Sequence, residues 1–271
     1  MVDIAAVARR VTVLGSCGAW PEAGRAASGF LLEYDGFRLV LDLGYATLPR
    51  LLAYCPDGDV DAVVVTHEHP DHCVDLHGLY RVRYFPLERL PRLPLYCPPG
   101  VMSRLRPLEP DGDLNDVFDV HELPGAYDVG PFRLESTLLP HYVPNAGVRL
   151  IAPDITVAYT GDTGPDDALA ALGADADLFI VEATGQAKGI GVLREPTQTR
   201  YHLRASDAGL WARRAGVHRL MLTHFWPGID RTVSRLEASA RASTVTSCWP
   251  TRTSSYHSWV TREASRYHTG E

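Results

Sequence analysis

The amino-acid sequence predicts a mixed α/β protein, of the α+β kind, in which two β-sheets pack together with helices outside them. Three observations predict it. Apolar, β-branched runs of strand length recur between Gly, Pro and Asp turn signals in both halves of the chain. Each block of strands is followed by stretches with helical spacing. The 271 residues, 45% of them hydrophobic, suffice for one large domain or at most two small ones, and such blocks bury their apolar faces by packing as layers.

Residues 11–14 read as a first strand ended by Gly15, followed by strands at 29–34 and 37–41. Asp35-Gly36 joins these two as a hairpin, because both residues tolerate the left-handed backbone of a tight turn. After a helix-like stretch at 48–54, residues 61–66 (DAVVVT) are too apolar for a half-exposed strand and predict a buried central one. The second half repeats the pattern, with strands at 132–138, 147–151 and 155–160. A helix at 166–172, a strand at 177–181, a helix at 205–215 stopped by Gly216 and a strand at 219–222 complete it. No internal repeat or low-complexity linker interrupts it.

The formal net charge of −7 argues against a long polyanion as partner, since extended nucleic acids are held by clustered Lys and Arg; a small substrate is favoured. A local run, Arg81, Arg83, Arg89 and Arg92, could meet phosphate but reads better as a solvated face. The first ten residues lack a signal-peptide core and no run of about 18 apolar residues occurs, so a soluble, cytoplasmic protein without a membrane span is expected. Five scattered cysteines without C-x-x-C spacing suit a reducing compartment and idle thiols.

The strongest chemical signal is His67-Glu68-His69-Pro70-Asp71-His72, directly after the central apolar strand, where a strand-end loop aims several side chains into one cleft. Imidazoles and carboxylates at this density are metal ligands in outline, suited to zinc and also to manganese or iron. His141, Asp162 and His224 each follow another apolar run directly and bring the set to seven groups.

This pattern resembles the metallo-β-lactamase superfamily, whose H-x-H-x-D-H hallmark stands here as His67, His69, Asp71 and His72. The early Asp42-Leu43-Gly44 and the later His, Asp and His extend the resemblance over about residues 11–230. It implies a four-layer αββα sandwich and two divalent ions, first of all zinc. His67, His69 and His141 would hold one ion, Asp71, His72 and His224 the other, and Asp162 would bridge them. Two metals so placed lower the pKa of a bridging water and stabilise a developing oxyanion. Asp71 could also orient or deprotonate that nucleophile, and Asp42 is a candidate to hold a ligand imidazole by its second N–H.

A full ligand set resembles the phosphodiesterase and ribonuclease Z branches. Tyr201-His202-Leu203-Arg204-Ala205 resembles their His-Leu helix entry, which makes His202 the candidate general acid. Only twenty residues, 142–161, separate His141 from Asp162, too few for the tRNA-gripping arm of ribonuclease Z. The expectation is therefore a phosphodiesterase for cyclic nucleotides or other small phosphodiesters, as a homodimer like similar proteins. The alternatives are a ribonuclease Z-like nuclease, a thioester, lactone or lactam hydrolase with the same metals, and a non-catalytic metal-binding protein.

Residues 1–240 form the predicted domain, and 241–271 are an atypical tail rich in Ser, Thr, Arg, Trp and Tyr. The tail reads like a foreign frame: back-translated with GC-rich codons, its start yields RFDGDVVLADPDLVLPLV when shifted, a turn, apolar strand and turn. A frameshift near Arg241 is expected, together with the absence of the strand that would close the sheet.

Overall fold

The structure, a computed structural model, describes residues 9–86, 90–186 and 200–242, together with the backbone of 246–248 and 255–256. The first half contains β1 (Arg10–Gly15), β2 (Gly29–Tyr34), β3 (Phe37–Leu43), α1 (Leu48–Leu51), β4 (Ala62–Val64), α2 (Pro70–Cys73), α3 (Asp75–Tyr84), β5 (Leu93–Cys97), α4 (Val101–Leu105) and β6 (Phe118–Glu122). The second contains β7 (Ala126–Val129), β8 (Phe132–Leu139), β9 (Asn145–Ala152), β10 (Ile155–Tyr159), α5 (Ala168–Leu172), β11 (Leu178–Glu182), α6 (Ala205–Ala215), β12 (Arg219–Thr223), α7 (Arg231–Arg241), β13 (Thr246–Cys248) and β14 (Ser255–Tyr256).

Among the described residues these strands form two seven-stranded sheets, ordered β14-β1-β2-β3-β4-β5-β6 and β13-β12-β11-β10-β9-β8-β7. Strand alternation explains how they pack. Phe30, Leu32, Leu39 and Leu41 point inward and meet Leu134, Leu150, Val157 and Ile180 of the other sheet. Leu31, Val40 and Val63 point outward onto Leu76, Leu79 and Tyr80 of α3. On the far side Phe179, Val181 and Leu222 meet Ala208, Trp211 and Ala212 of α6. The result is the expected helix–sheet–sheet–helix sandwich, in which each fully buried large side chain contributes roughly 1.5–3 kcal/mol.

Local signals act as the sequence suggests. Asp35 and Gly36 turn the β2–β3 hairpin with φ of 52° and 88°, and β4 lies parallel between β3 and β5. Gly216 ends α6 in the left-handed conformation, and Asp230 starts α7 by accepting from Thr232 and Val233 N–H. Helix α7 sits close against α6 at Gly209, where a Cβ would overlap the Ala238 backbone. Among the described residues no helix is long and apolar enough to cross a membrane.

Four expectations change. The helix expected at 48–54 stops at Leu51, and the one at 166–172 begins at Ala168, whose N–H bonds to Asp166 Oδ1. Arg83 is not on a solvated face: it is buried, donating to Gly58 O and Pro91 O, while Arg81 pairs with Glu109 and Arg92 with Asp119. Arg89 lies outside the described residues. The tail does return to the sheets, since β13 runs parallel to β12 and β14 antiparallel to β1. Both would otherwise leave backbone donors and acceptors unpaired at an edge.

Candidate metal centre

Strands β8, β10, β11 and β12 run in one direction, as do β3 and β4, so their C-terminal ends meet along one rim of the sandwich. His67 and His69 follow β4, and Asp71 and His72 lie on α2. His141 follows β8, Asp162 follows β10 and His224 follows β12. All seven residues are brought together in two groups that share Asp162: His67, His69 and His141 with Asp162, and Asp71, His72 and His224 with Asp162, the candidate ligand atoms of each group lying within 4.8 Å of one another.

In the first group His69 Nδ1 is 3.1 Å from both His67 Nε2 and His141 Nε2, and Asp162 Oδ2 is 3.8 Å from each of the latter. In the second, His224 Nε2 is 3.2 Å from Asp71 Oδ2 and 3.1 Å from Asp162 Oδ2, and His72 Nε2 is 3.2 Å from Asp162 Oδ1. Asp71 is held by a 2.6 Å bond from Ala19 N–H. Gly18 passes so close to His224 that a Cβ would fall 2.6 Å from its ring. Glu68, between the two motif histidines, turns away to Arg104 at 2.7 Å and anchors the loop.

The Asp42-Leu43-Gly44 element is explained by a bulge. Gly29 faces Leu43 and Phe30 faces Leu41, so Asp42 is the extra residue, with φ of 56°. The bulge turns its carboxylate into the interior, where it accepts from Thr66 N–H at 2.7 Å, Tyr159 O–H at 2.8 Å and His72 Nδ1 at 2.7 Å. His72 is thereby oriented with Nε2 toward the second group, as expected of Asp42. Gly44 is required because a Cβ there would overlap the Asp71 carbonyl.

His202 also reaches this rim, stacked at 5.6 Å on His224 and with Nδ1 3.9 Å from Asp162 Oδ2. Its partner is a residue the sequence reading missed. Glu182, the fully buried last residue of β11, lies 3.2 Å from His202 Nδ1 and accepts from Thr184 O–H at 2.6 Å. Thr184, also missed, lies 2.6 Å from His224 Nδ1. The available signal was Glu182 itself, a carboxylate ending an apolar strand, like the other strand-end groups. Glu182→Gln keeps the shape and removes the charge; it is expected to lower kcat about 10- to 100-fold with metal content unchanged, measured by steady-state kinetics and elemental analysis.

The electrostatics fit a metal site. Burial pushes His67 well below its ordinary pKa and His141 down to about 4, leaving neutral imidazoles whose lone pairs a cation can use. Burial opposes charge on Asp162 as well, yet His224, His72 and His67 hold its carboxyl well below the carboxylate range. His72 Nε2 and Asp162 Oδ1, both buried, have no hydrogen-bond partner, which is costly unless an electrophile is supplied. Burial opposes the charged form of His202, but Glu182 and Asp162 outweigh it and raise the imidazole to about 9.

Fold and site together define a metallo-hydrolase: residues 38–225 match the β-lactamase superfamily domain, and the chain belongs to that superfamily. An uncharacterised protein of Mycobacterium tuberculosis is 34% identical over 86% of this chain and 87% of its own length. YhfI of Bacillus subtilis, named as a probable metallo-hydrolase, is 30% identical over 79% of this chain and 86% of its own. The solved structure of YhfI, a metallo-β-lactamase fold protein, superposes with a TM-score of 0.80, covering 93% of this chain and 100% of that one at 26% identity. A ribonuclease Z of Haloferax volcanii is 28% identical over 79% of this chain and 84% of its own.

Proposed function

We propose that the protein is a two-metal phosphodiesterase acting on cyclic nucleotides or similar small phosphodiesters. The observation that carries this reading is the His202–Glu182 pair beside the two His/Asp groups. A phosphodiester has an anionic oxygen to be held and a poor alkoxide leaving group to be protonated, and a cationic imidazole serves both needs. Kinship with ribonuclease Z supports phosphodiester chemistry. The span from His141 to Asp162 holds β9 and β10, a hairpin within the sheet, and this favours a small substrate over tRNA.

His67, His69 and His141 would hold one ion and Asp71, His72 and His224 the other, with Asp162 between them; the nitrogen and oxygen donors favour zinc and also suit manganese or iron. When bound, such a pair supplies Lewis acidity and a water ionised near neutral pH. Asp42 and Thr184 orient the imidazoles of His72 and His224 from behind. With Nδ1–H donated to Glu182, His202 keeps Nε2–H for the substrate, first for an anionic oxygen and then as the proton given to the leaving alkoxide. Asp71, engaged with Ala19 N–H and His224, serves in this reading as a ligand that also accepts a hydrogen bond from the attacking water.

The test is hydrolysis of bis(p-nitrophenyl) phosphate and of cyclic mononucleotides by protein loaded with zinc or manganese. Metal-dependent turnover of both is expected. Cleavage of a thioester, lactone or lactam with no cleavage of either phosphodiester would overturn the proposal.

A further inference from the structure

Beside His202 the surface opens into a cleft of about 220 Å³, lined among others by Tyr142, Leu203, Arg204 and Trp226. Two aromatic pairs flank the imidazole. Tyr142 and Trp226 each stand 6.2 Å from the His202 ring; Tyr201 backs Tyr142 at 4.3 Å, and Trp20 extends from Trp226 at 6.2 Å. Trp20 is 50% exposed and Tyr142 65% exposed, so neither ring is spent on core packing. Trp20 follows Ala19, whose N–H binds Asp71, so this wall is tied to the site by one residue of backbone.

Large exposed rings gathered around a catalytic cleft gain burial only when a ligand covers them. Their π-faces suit a planar ring more than an alkyl chain, since offset stacking adds to the area term. The cleft also carries a polar handle in Arg204, which lines it. A guanidinium donor beside stacking rings matches a heterocycle with acceptor atoms on its edge, as a purine has.

We infer that Trp20, Trp226 and Tyr142 form a nucleobase subsite that selects nucleotide substrates over base-free phosphodiesters. The inference deepens the phosphodiesterase reading and rests on it for the position of the phosphate. Seated at the two His/Asp groups with His202 at its leaving oxygen, the phosphate would send its nucleoside into this cleft.

Calorimetric titration of the zinc-loaded protein with adenosine monophosphate and with ribose phosphate separates the subsite from the reaction. Adenosine monophosphate should bind about tenfold or more tightly than ribose phosphate, the scale of one stacked base. Tyr142→Ala and Trp20→Ala, which remove exposed rings, should each weaken adenosine monophosphate about tenfold while ribose phosphate changes less than about twofold. Tyr142→Phe should retain the nucleotide affinity. Equal binding of the two probes by the unaltered protein, or parallel loss of both in the Ala variants, would overturn the subsite. A nucleotide preference in a protein that cleaves no phosphodiester would overturn the phosphodiesterase reading and uphold the base site.

Discussion

Asp162→Ala is expected to abolish phosphodiester turnover, with kcat/KM falling by well over about 100-fold, the upper scale for losing even an outer partner of a metal ligand. The carboxylate is the one group shared by both candidate ion positions. Its oxygens lie within 3.2 Å of His72 and His224 and 3.8 Å from His67 and His141, so its removal takes from four buried imidazoles a negative charge that all of them share. Metal content should therefore fall below two ions per chain, and elemental analysis of the purified variant checks this independently of activity. Full activity with two retained ions would remove Asp162 from the bridging role.

His202→Ala should behave differently. Loss of a general acid costs about 10²- to 10⁴-fold, and the cost grows as the leaving group becomes more basic. The variant is expected to keep two ions, since each of the two groups that share Asp162 is complete without His202, which lies with Glu182 and His224 in a third cluster. It should lose far more activity on a cyclic mononucleotide, whose leaving oxygen is an alkoxide, than on bis(p-nitrophenyl) phosphate, whose p-nitrophenolate departs without a proton. Equal losses on both substrates would make His202 a binder of the phosphate instead of a proton donor.

Much of this site is legible in the sequence because candidate ligands placed at strand ends leave a local mark. His67, His141, Asp162 and His224 each follow an apolar run, and the run predicts a buried strand whose end must open onto a rim. Glu182 carries the same mark but no imidazole neighbour in sequence; its partner His202 comes from a helix entry twenty residues on, and only the fold joins them. Strands β6 (FDVHE) and β7 (AYDV) carry no such mark, since they lie at sheet edges and carry charge where a central strand would be apolar. Arg83 reads as surface by composition and is buried by the Gly58 and Pro91 carbonyls, a long-range pairing no local pattern records. Gln186 is a second such case, its side-chain amide donating to Asp230 O and Ser234 Oγ more than forty residues on.

The bulge at Asp42 joins matters that are usually separable. Its carboxylate is gripped by Thr66 from the first sheet, by Tyr159 from the second and by His72 in the site, and Tyr159 in turn packs edge-on against Phe30 at 5.4 Å. The candidate metal centre is thus registered against the interface between the sheets and not against any one loop. A core substitution that lets the sheets slide even slightly would be felt as weaker metal affinity before it is felt as unfolding, so a metal titration of this protein also gauges how well its interior is packed.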